Sequence, residues 1–224
     1  FEEVFRAALE EADEVVCLLI SSDLSGTVQS ANIAKNTLER DEIHILDSRT
    51  TCLSLGLLVE IAAQRANEGK TAAEIMAEME GLTSRVRICA GIETLEYLKK
   101  GGRVTPAAAM IGTVLNIKPV LTIQGEKLDA FEKARGVKQA KKAMIKAMKK
   151  DMDKRFAKER AAGIMGLHIA YTANDKEVID GWIVEVKEAF PDFEVDAHPL
   201  SLSVACHIGP GALAIACEKK SAIS

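Results

Sequence analysis

Three stretches of this 224-residue chain hold residue types and spacings that could do chemistry. In the first, Ser21, Ser22, Ser25, Gly26 and Thr27 follow the apolar run Val15–Ile20 directly. A hydroxyl-rich turn at the carboxyl end of a buried strand, leading into a helix, offers backbone N–H groups and side-chain donors to a carboxylate or phosphate. The same spacing also suits Ser25 or Thr27 acting only as a helix cap. The second stretch runs from Val204 to Gly211 and reads as a strand entering a Gly-rich turn, with helical residues from Ala212 to Cys217 beyond it. His207 stands where a side chain could reach a ligand, and Gly209 and Gly211 would let backbone come close to it. A histidine beside an apolar strand is equally readable as a core residue. The third stretch, Thr94 to Arg103, is an amphipathic helix with a Gly101-Gly102 stop and a basic exit, and on its own it predicts no chemistry.

The elements that must position these residues follow from hydrophobic periodicity. A helix over residues 1–12 leads to the strand Val15–Ile20; a helix from Thr27 to Arg40 leads to a second strand, Ile43–Leu46. Strand, helix and strand in that order imply a parallel sheet with a right-handed crossover. Helices over Leu53–Asn67 and Thr71–Gly81 complete a first α/β domain, 1–82. A second domain, 83–224, begins with the strand Val86–Ala90, short helices at Glu93–Lys100 and Pro106–Leu115, and a hairpin of Ile117–Ile123 and Lys127–Phe131. A long helix from Val137 to about Lys158 places Ala140, Met144, Met148, Met152 and Phe156 on one side. A strand at Ile164–Tyr171, a helix at Lys176–Ala189 and a strand at Phe193–Ala197 follow.

Composition excludes several classes. No apolar run approaches the roughly 20 residues of a membrane span. The five cysteines form no Cys-x-x-Cys pair, which fits buried free thiols in a reducing cytoplasm. The four histidines show no zinc-type spacing, so no metal is expected. Neither a Gly-x-Gly-x-x-Gly nor a phosphate-binding Gly-Lys-Ser/Thr loop occurs. The net charge of −4 argues against nucleic acid. Yet Lys133 to Arg160 carries twelve Lys/Arg against three Asp/Glu, a segment at +9 in a chain otherwise at −13. That run reads either as a solvated helix face or as a docking surface for an acidic partner or lipid phosphate.

Taken in order, Ile20–Ala31, Asp47-Ser48, Thr94–Val104, Ile111–Leu121, Lys133–Gly136 and His207–Leu213 resemble the DegV family, which includes the fatty-acid-binding subunits of bacterial fatty acid kinase. The resemblance covers essentially the whole chain. It implies a two-domain α/β fold, a parallel three-layer sheet domain followed by a mixed-sheet domain. It also implies a long-chain fatty acid such as palmitate, stearate or oleate held between the domains, with no other cofactor. Its carboxylate would lie on Ser21, Ser22, Ser25, Gly26 and Thr27, with His207 and Gly209 near the head group. A separate kinase would phosphorylate that carboxylate, and Arg103, Lys118, Lys133 and Arg135 are the candidate surface that meets it. The protein is then a cytoplasmic carrier subunit, not catalytic alone.

Two departures from the family pattern stand out. A Thr/Ser-Ser-Gln-Pro-type segment belongs ahead of the helix at 1–12, where it supplies another carboxylate contact. This chain opens at Phe1-Glu2-Glu3, without a leader to read, so the first strand–helix unit is expected to be missing, which bears on pocket closure and stability. After Asp47-Ser48, Cys52 and Ser54 stand where Ser and Gly are expected. Two other readings use the same residues. Ser25, Asp47 and His207 occur in the chain order of an α/β-hydrolase triad, so an acyl-ester hydrolase using Ser22 or Ser25 is the runner-up, although no Gly-x-Ser-x-Gly elbow exists. The third is a lipid-free interaction module.

Overall fold

The structure, a computed structural model, describes residues 1–103, 117–123 and 128–220. The chain divides into two compact units, Phe1–Arg85 and Val86–Ser224.

The first unit alternates helix and strand: α1 (Glu2–Glu11), β1 (Val15–Leu19), α2 (Thr27–Leu38), β2 (Ile43–Asp47), α3 (Cys52–Asn67) and α4 (Ala72–Thr83). β1 and β2 pair in parallel, from Val15 opposite Ile43 to Leu19 opposite Asp47. The pleat sends alternate residues to opposite faces. Val15, Cys17 and Leu19 join Ile43 and Ile45 in a core with Phe5, Ala31 and Ala34 of α1 and α2. Val16, Leu18 and Leu46 join Leu58, Ile61, Ile75 and Met79 of α3 and α4. This is the expected helix–sheet–helix sandwich. The start of α4 is fixed by a reciprocal cap in which Thr71 accepts from the Glu74 N–H and Glu74 accepts from the Thr71 N–H. α2 ends two residues earlier than the sequence predicts, because Glu39 turns left-handed at φ 51°.

The second unit contains β3 (Val86–Gly91), α5 (Glu96–Lys100), β4 (Ile117–Ile123), β5 (Leu128–Arg135), α6 (Val137–Lys154) and α7 (Ala157–Ala161). Then come β6 (Met165–Tyr171), α8 (Lys176–Ala189), β7 (Val195–Pro199), α9 (Leu202–Ile208) and β8 (Leu213–Lys219). Among the described residues these strands form one six-stranded sheet in the order β5-β4-β3-β8-β6-β7. β6 and β7 are parallel and the other neighbours antiparallel, so the sheet is mixed as expected. One face packs Cys89, Leu167, Ile169, Ile215 and Cys217 against Met144, Met148 and Met152 of α6 and Trp182 and Val186 of α8. The indole N–H of Trp182, wholly buried, donates to the Ala214 carbonyl at 3.3 Å. The opposite face carries Ala90, Leu121 and Ala214 beneath Leu95 and Leu98 of the α5 segment.

The sequence reading fails most clearly after residue 200. The expected strand at Val204 lies inside helix α9, and the expected helix from Ala212 to Cys217 is the central strand β8. β8 pairs with β3 on one side and β6 on the other and is buried on both faces. A strand of that kind shows no alternation, so a short apolar run cannot be told from a buried helix turn by its period. The long helix also stops short. It ends at Lys154, and the fully buried Phe156, at φ −112°, separates it from α7. β5 extends to Arg135 rather than Phe131, held to β4 through the pairing of Ile117 with Arg135. The expected helix Pro106–Leu115 and the turn at 124–126 lie outside the described residues.

Candidate functional site

β1 and β2 end side by side, and the chain leaving each is bonded to the other. Ser21 donates its backbone N–H to the Thr50 carbonyl at 2.9 Å, and Ser48 donates to Leu19 at 3.0 Å. Asp47, the last residue of β2, gathers three donors. The Ser22 hydroxyl reaches its Oδ2 at 2.5 Å, the Ser22 N–H lies 3.3 Å from either oxygen, and the Arg49 N–H lies 2.9 Å from Oδ1. Beneath this knot is a layer of buried hydroxyls from Ser21, Ser48, Thr50, Thr51 and Ser54. Thr50 Oγ1 has no hydrogen-bond partner among the described residues. Arg49 and Cys52 sit at φ 52° and 55°, a left-handed backbone that is strained for residues with a Cβ and that concentrates at functional sites.

The turn then closes on itself, with the Leu24 and Ser25 N–H groups donating to the Ser21 carbonyl at 3.0 and 3.1 Å. α2 starts at Thr27 with Gly26 as its N-cap and no side-chain cap bond. Its first backbone bond runs from the Ser30 N–H to the Gly26 carbonyl at 3.0 Å. The N–H groups of Gly26, Thr27, Val28 and Gln29 therefore point out of the helix end, the geometry that favours an anion. Ser25 Oγ and Thr27 Oγ1 lie 2.7 Å apart beside them. One of the two donates to the other, so the pair keeps one proton for a ligand. A Cβ placed on Gly26 meets nothing within 4 Å, so the space over the turn is open.

The five candidates in this turn thus divide by their hydrogen bonds. Ser25, Gly26 and Thr27 line the open helix end. Ser22 is exposed but its proton goes to Asp47. Ser21 is buried, 1% exposed, and its Oγ accepts from the Asp23 N–H at 3.3 Å. Asp47 and the hydroxyls of Ser48 and Thr50 were absent from the sequence-derived site. Two signals point to them: Asp47-Ser48 is among the segments that carry the family resemblance, and the ends of neighbouring parallel strands share an edge, so a polar residue closing the second strand meets the turn that follows the first.

His207 and Gly209 belong to the second unit. His207 is the penultimate residue of α9, not a strand residue, and its Nδ1 lies 2.6 Å from where a Cβ on Gly101 would stand. The glycines around it have structural work. Gly209 has φ 82° and a Cβ there would come 2.4 Å from the Tyr97 ring; one on Gly211 would come 2.7 Å from Glu93 Cγ. Gly209 also uses both backbone polar groups, its N–H to Ala205 at 2.8 Å and its carbonyl to the Thr172 hydroxyl at 2.6 Å. Close approach is real here, but it is to α5 and its approach segment.

The four basic candidates separate. Lys118 lies on the α6 side of the sheet, beside Val137, Ala140 and Met144, and its ammonium is paired with Glu93. Lys133 and Arg135 flank the fully buried Ala134, which packs under α6, so both project to the other face, and both are exposed. Arg103 follows α5 on that face and donates to the Gly101 carbonyl at 2.5 Å.

The cysteines correct a simpler expectation. Cys89 and Cys217 are buried, and burial pushes both thiols up, but Cys206 on α9 is exposed. Among the described residues no group of three His, Cys, Asp or Glu is placed to hold a metal, and no helix is long and apolar enough to cross a membrane.

The chain is thus a two-unit α/β protein with an uncapped helix start at the edge of a parallel strand pair. The family model described as "Uncharacterised protein, DegV family" matches residues 1–220, and the chain belongs to that family. A DegV domain-containing protein of Clostridium acetobutylicum is 34% identical over 217 residues, 95% of this chain and 73% of its own length. The solved structure of a fatty-acid-binding DegV family protein from Thermus thermophilus superposes with a TM-score of 0.84 at 32% identity, covering 97% of this chain and 75% of that one. That of DegV, a fatty acid binding protein from Bacillus subtilis, gives 0.79 at 27% identity over 98% and 75%.

Proposed function

We propose that this chain binds a long-chain fatty acid, with the carboxylate seated on the open start of α2, and that it acts as a carrier with no catalysis of its own. The observation that carries the reading is the helix end itself: the outward N–H groups of Gly26, Thr27, Val28 and Gln29, unmet by any side-chain cap, beside the Ser25–Thr27 pair. A carboxylate there gains several charge-assisted bonds together with the favourable end of the helix dipole. Burying roughly a dozen methylenes at ~0.8 kcal/mol each contributes on the order of 10 kcal/mol gross, enough for tight binding after the costs of association. The fatty-acid-binding relatives from Thermus thermophilus and Bacillus subtilis support the same ligand class.

The hydrogen bonds favour a binder over a hydrolase. A nucleophilic serine needs a base that is itself oriented by an acid. Here Asp47 bonds the serine directly, Ser25 bonds Thr27, and no histidine is bonded to either among the described residues. The exposed pair Lys133 and Arg135, with Arg103, is the surface we assign to a partner kinase that phosphorylates the bound carboxylate. Reversing Lys133 and Arg135 to Glu weakens kinase coupling and leaves lipid binding intact. Denaturing extraction of purified protein followed by mass spectrometry tests the reading as a whole. A near-stoichiometric long-chain fatty acid supports it, and a different small molecule in that amount overturns it.

A further inference from the structure

Within the basic run noted in the sequence, two sets of cations stand out once α6 is in place. The cations that turn toward neighbouring elements are engaged. Lys141 pairs with Glu185 at 3.0 Å and stacks over Trp182; Lys149 lies over Phe190; Arg160 reaches Asp153 at 2.5 Å and stacks over Phe193. Lys138, Lys142, Lys146 and Lys150 are different. They are exposed, follow one another at i, i+4, and have no ion pair or hydrogen bond among the described residues. They form an inclined row about 18 Å long at 1.5 Å per residue, on the solvent side of a helix whose buried side holds Ala140, Met144 and Met148.

Such a row is unfavourable for the helix alone. Like charges at i, i+4 repel, and from Val137 to Lys150 there is no acidic residue to offset them. The row has no aromatic side chain for stacking bases and no arginine fork for a defined carboxylate or phosphate. Four compact charges on flexible stems, held in place by no neighbour, match a laterally fluid sheet of negative charge better than a fixed set of partner groups. We infer that this face of α6 docks the protein on an anionic lipid surface, by charge and without insertion. The inference stands independently of what the first unit binds.

The test is co-sedimentation of the purified chain with vesicles of phosphatidylcholine alone and of phosphatidylcholine mixed with phosphatidylglycerol. Binding to the mixed vesicles is expected to exceed binding to the neutral ones by at least roughly tenfold at low salt and to fall steeply as salt rises. Lys142→Glu with Lys146→Glu removes that binding. Lys142→Gln with Lys146→Gln weakens it by roughly tenfold, and neither pair lowers the thermal midpoint because no contact is lost. Equal binding to both vesicle types, no binding, or binding unchanged in the double variants overturns the inference. Binding to soluble polyglutamate with none to the mixed vesicles also overturns it and assigns the face to an acidic protein.

Discussion

The Ser22 hydroxyl donates to Asp47 Oδ2 at 2.5 Å, so its one proton is committed before any ligand arrives. The neighbouring Ser25–Thr27 pair, sharing one bond between two hydroxyls, keeps a proton free. Ser22→Ala is therefore expected to change affinity for a long-chain carboxylate by less than about threefold, whereas Ser25→Ala with Thr27→Val lowers it by about tenfold or more. Fluorescent fatty-acid displacement measures both. A larger loss from Ser22→Ala than from the double change would show that the Asp47 bond breaks on binding.

Asp47 is in turn a structural acceptor. Asp47→Ala strands the Ser22 and Arg49 N–H groups and unties the two loops, at a cost of about 1–2 kcal/mol for partly exposed bonds. Urea denaturation checks this. An unchanged midpoint would place the loop geometry on the buried hydroxyl layer instead.

The site illustrates what the sequence could and could not convey. The Ser-Ser-x-Leu-Ser-Gly-Thr turn is local, and local spacing suffices to place it between β1 and α2. Asp47 binds it from 25 residues away, a relation set by strand adjacency and not by spacing. The three-layer first unit was legible because β1 and β2 flank one helix. β8 was not, because its apolar residues owe their burial to β3 and β6, which lie far away in the chain. The exchange of α9 and β8 puts His207 on a strand end in the sequence reading, whereas in the structure it closes a helix and the glycines that follow pack against Tyr97 and Glu93.

Gly209 provides a direct check of that last point. Gly209→Ala forces a Cβ toward the Tyr97 ring at φ 82° and is expected to destabilise the fold by about 1–3 kcal/mol. Adding Tyr97→Ala relieves the clash but not the backbone strain, so recovery is partial. Retained stability in Gly209→Ala with lost lipid binding would instead assign the glycine a ligand role.

His168 makes stability depend on pH. Its Nε2 lies 2.6 Å from Oε1 of the buried Glu218 and its Nδ1 lies 3.5 Å from Asp196. Burial pushes the imidazole down, but the Glu218 bond and the two carboxylate charges push it up further, Lys220 opposing, and the net shift is upward. A group raised in the folded state contributes stability that is full below its unfolded value, about 6.5, and is lost as pH rises through the folded one. The stability advantage of the native chain over His168→Gln is expected to shrink as pH rises from about 6.5 through the raised folded-state value. A constant advantage across that interval would mean that His168 stays in one protonation state.

Thiol labelling reports on the second unit. Cys206 is exposed and is expected to react with a maleimide before Cys89 and Cys217, which lie at 0% exposure. Mass spectrometry of the partly labelled protein gives the order. Early labelling of Cys217 would contradict the central position of β8.

The central claim is that the start of α2 holds a carboxylate, and comparing palmitate with its methyl ester tests it most directly. The hydrocarbon chain is the same, and the ester lacks the negative charge. The account predicts that palmitate binds at least roughly tenfold more tightly, and that Ser25→Ala with Thr27→Val narrows the gap. Equal affinity for acid and ester would contradict it, because the ligand would then be held by its hydrocarbon alone.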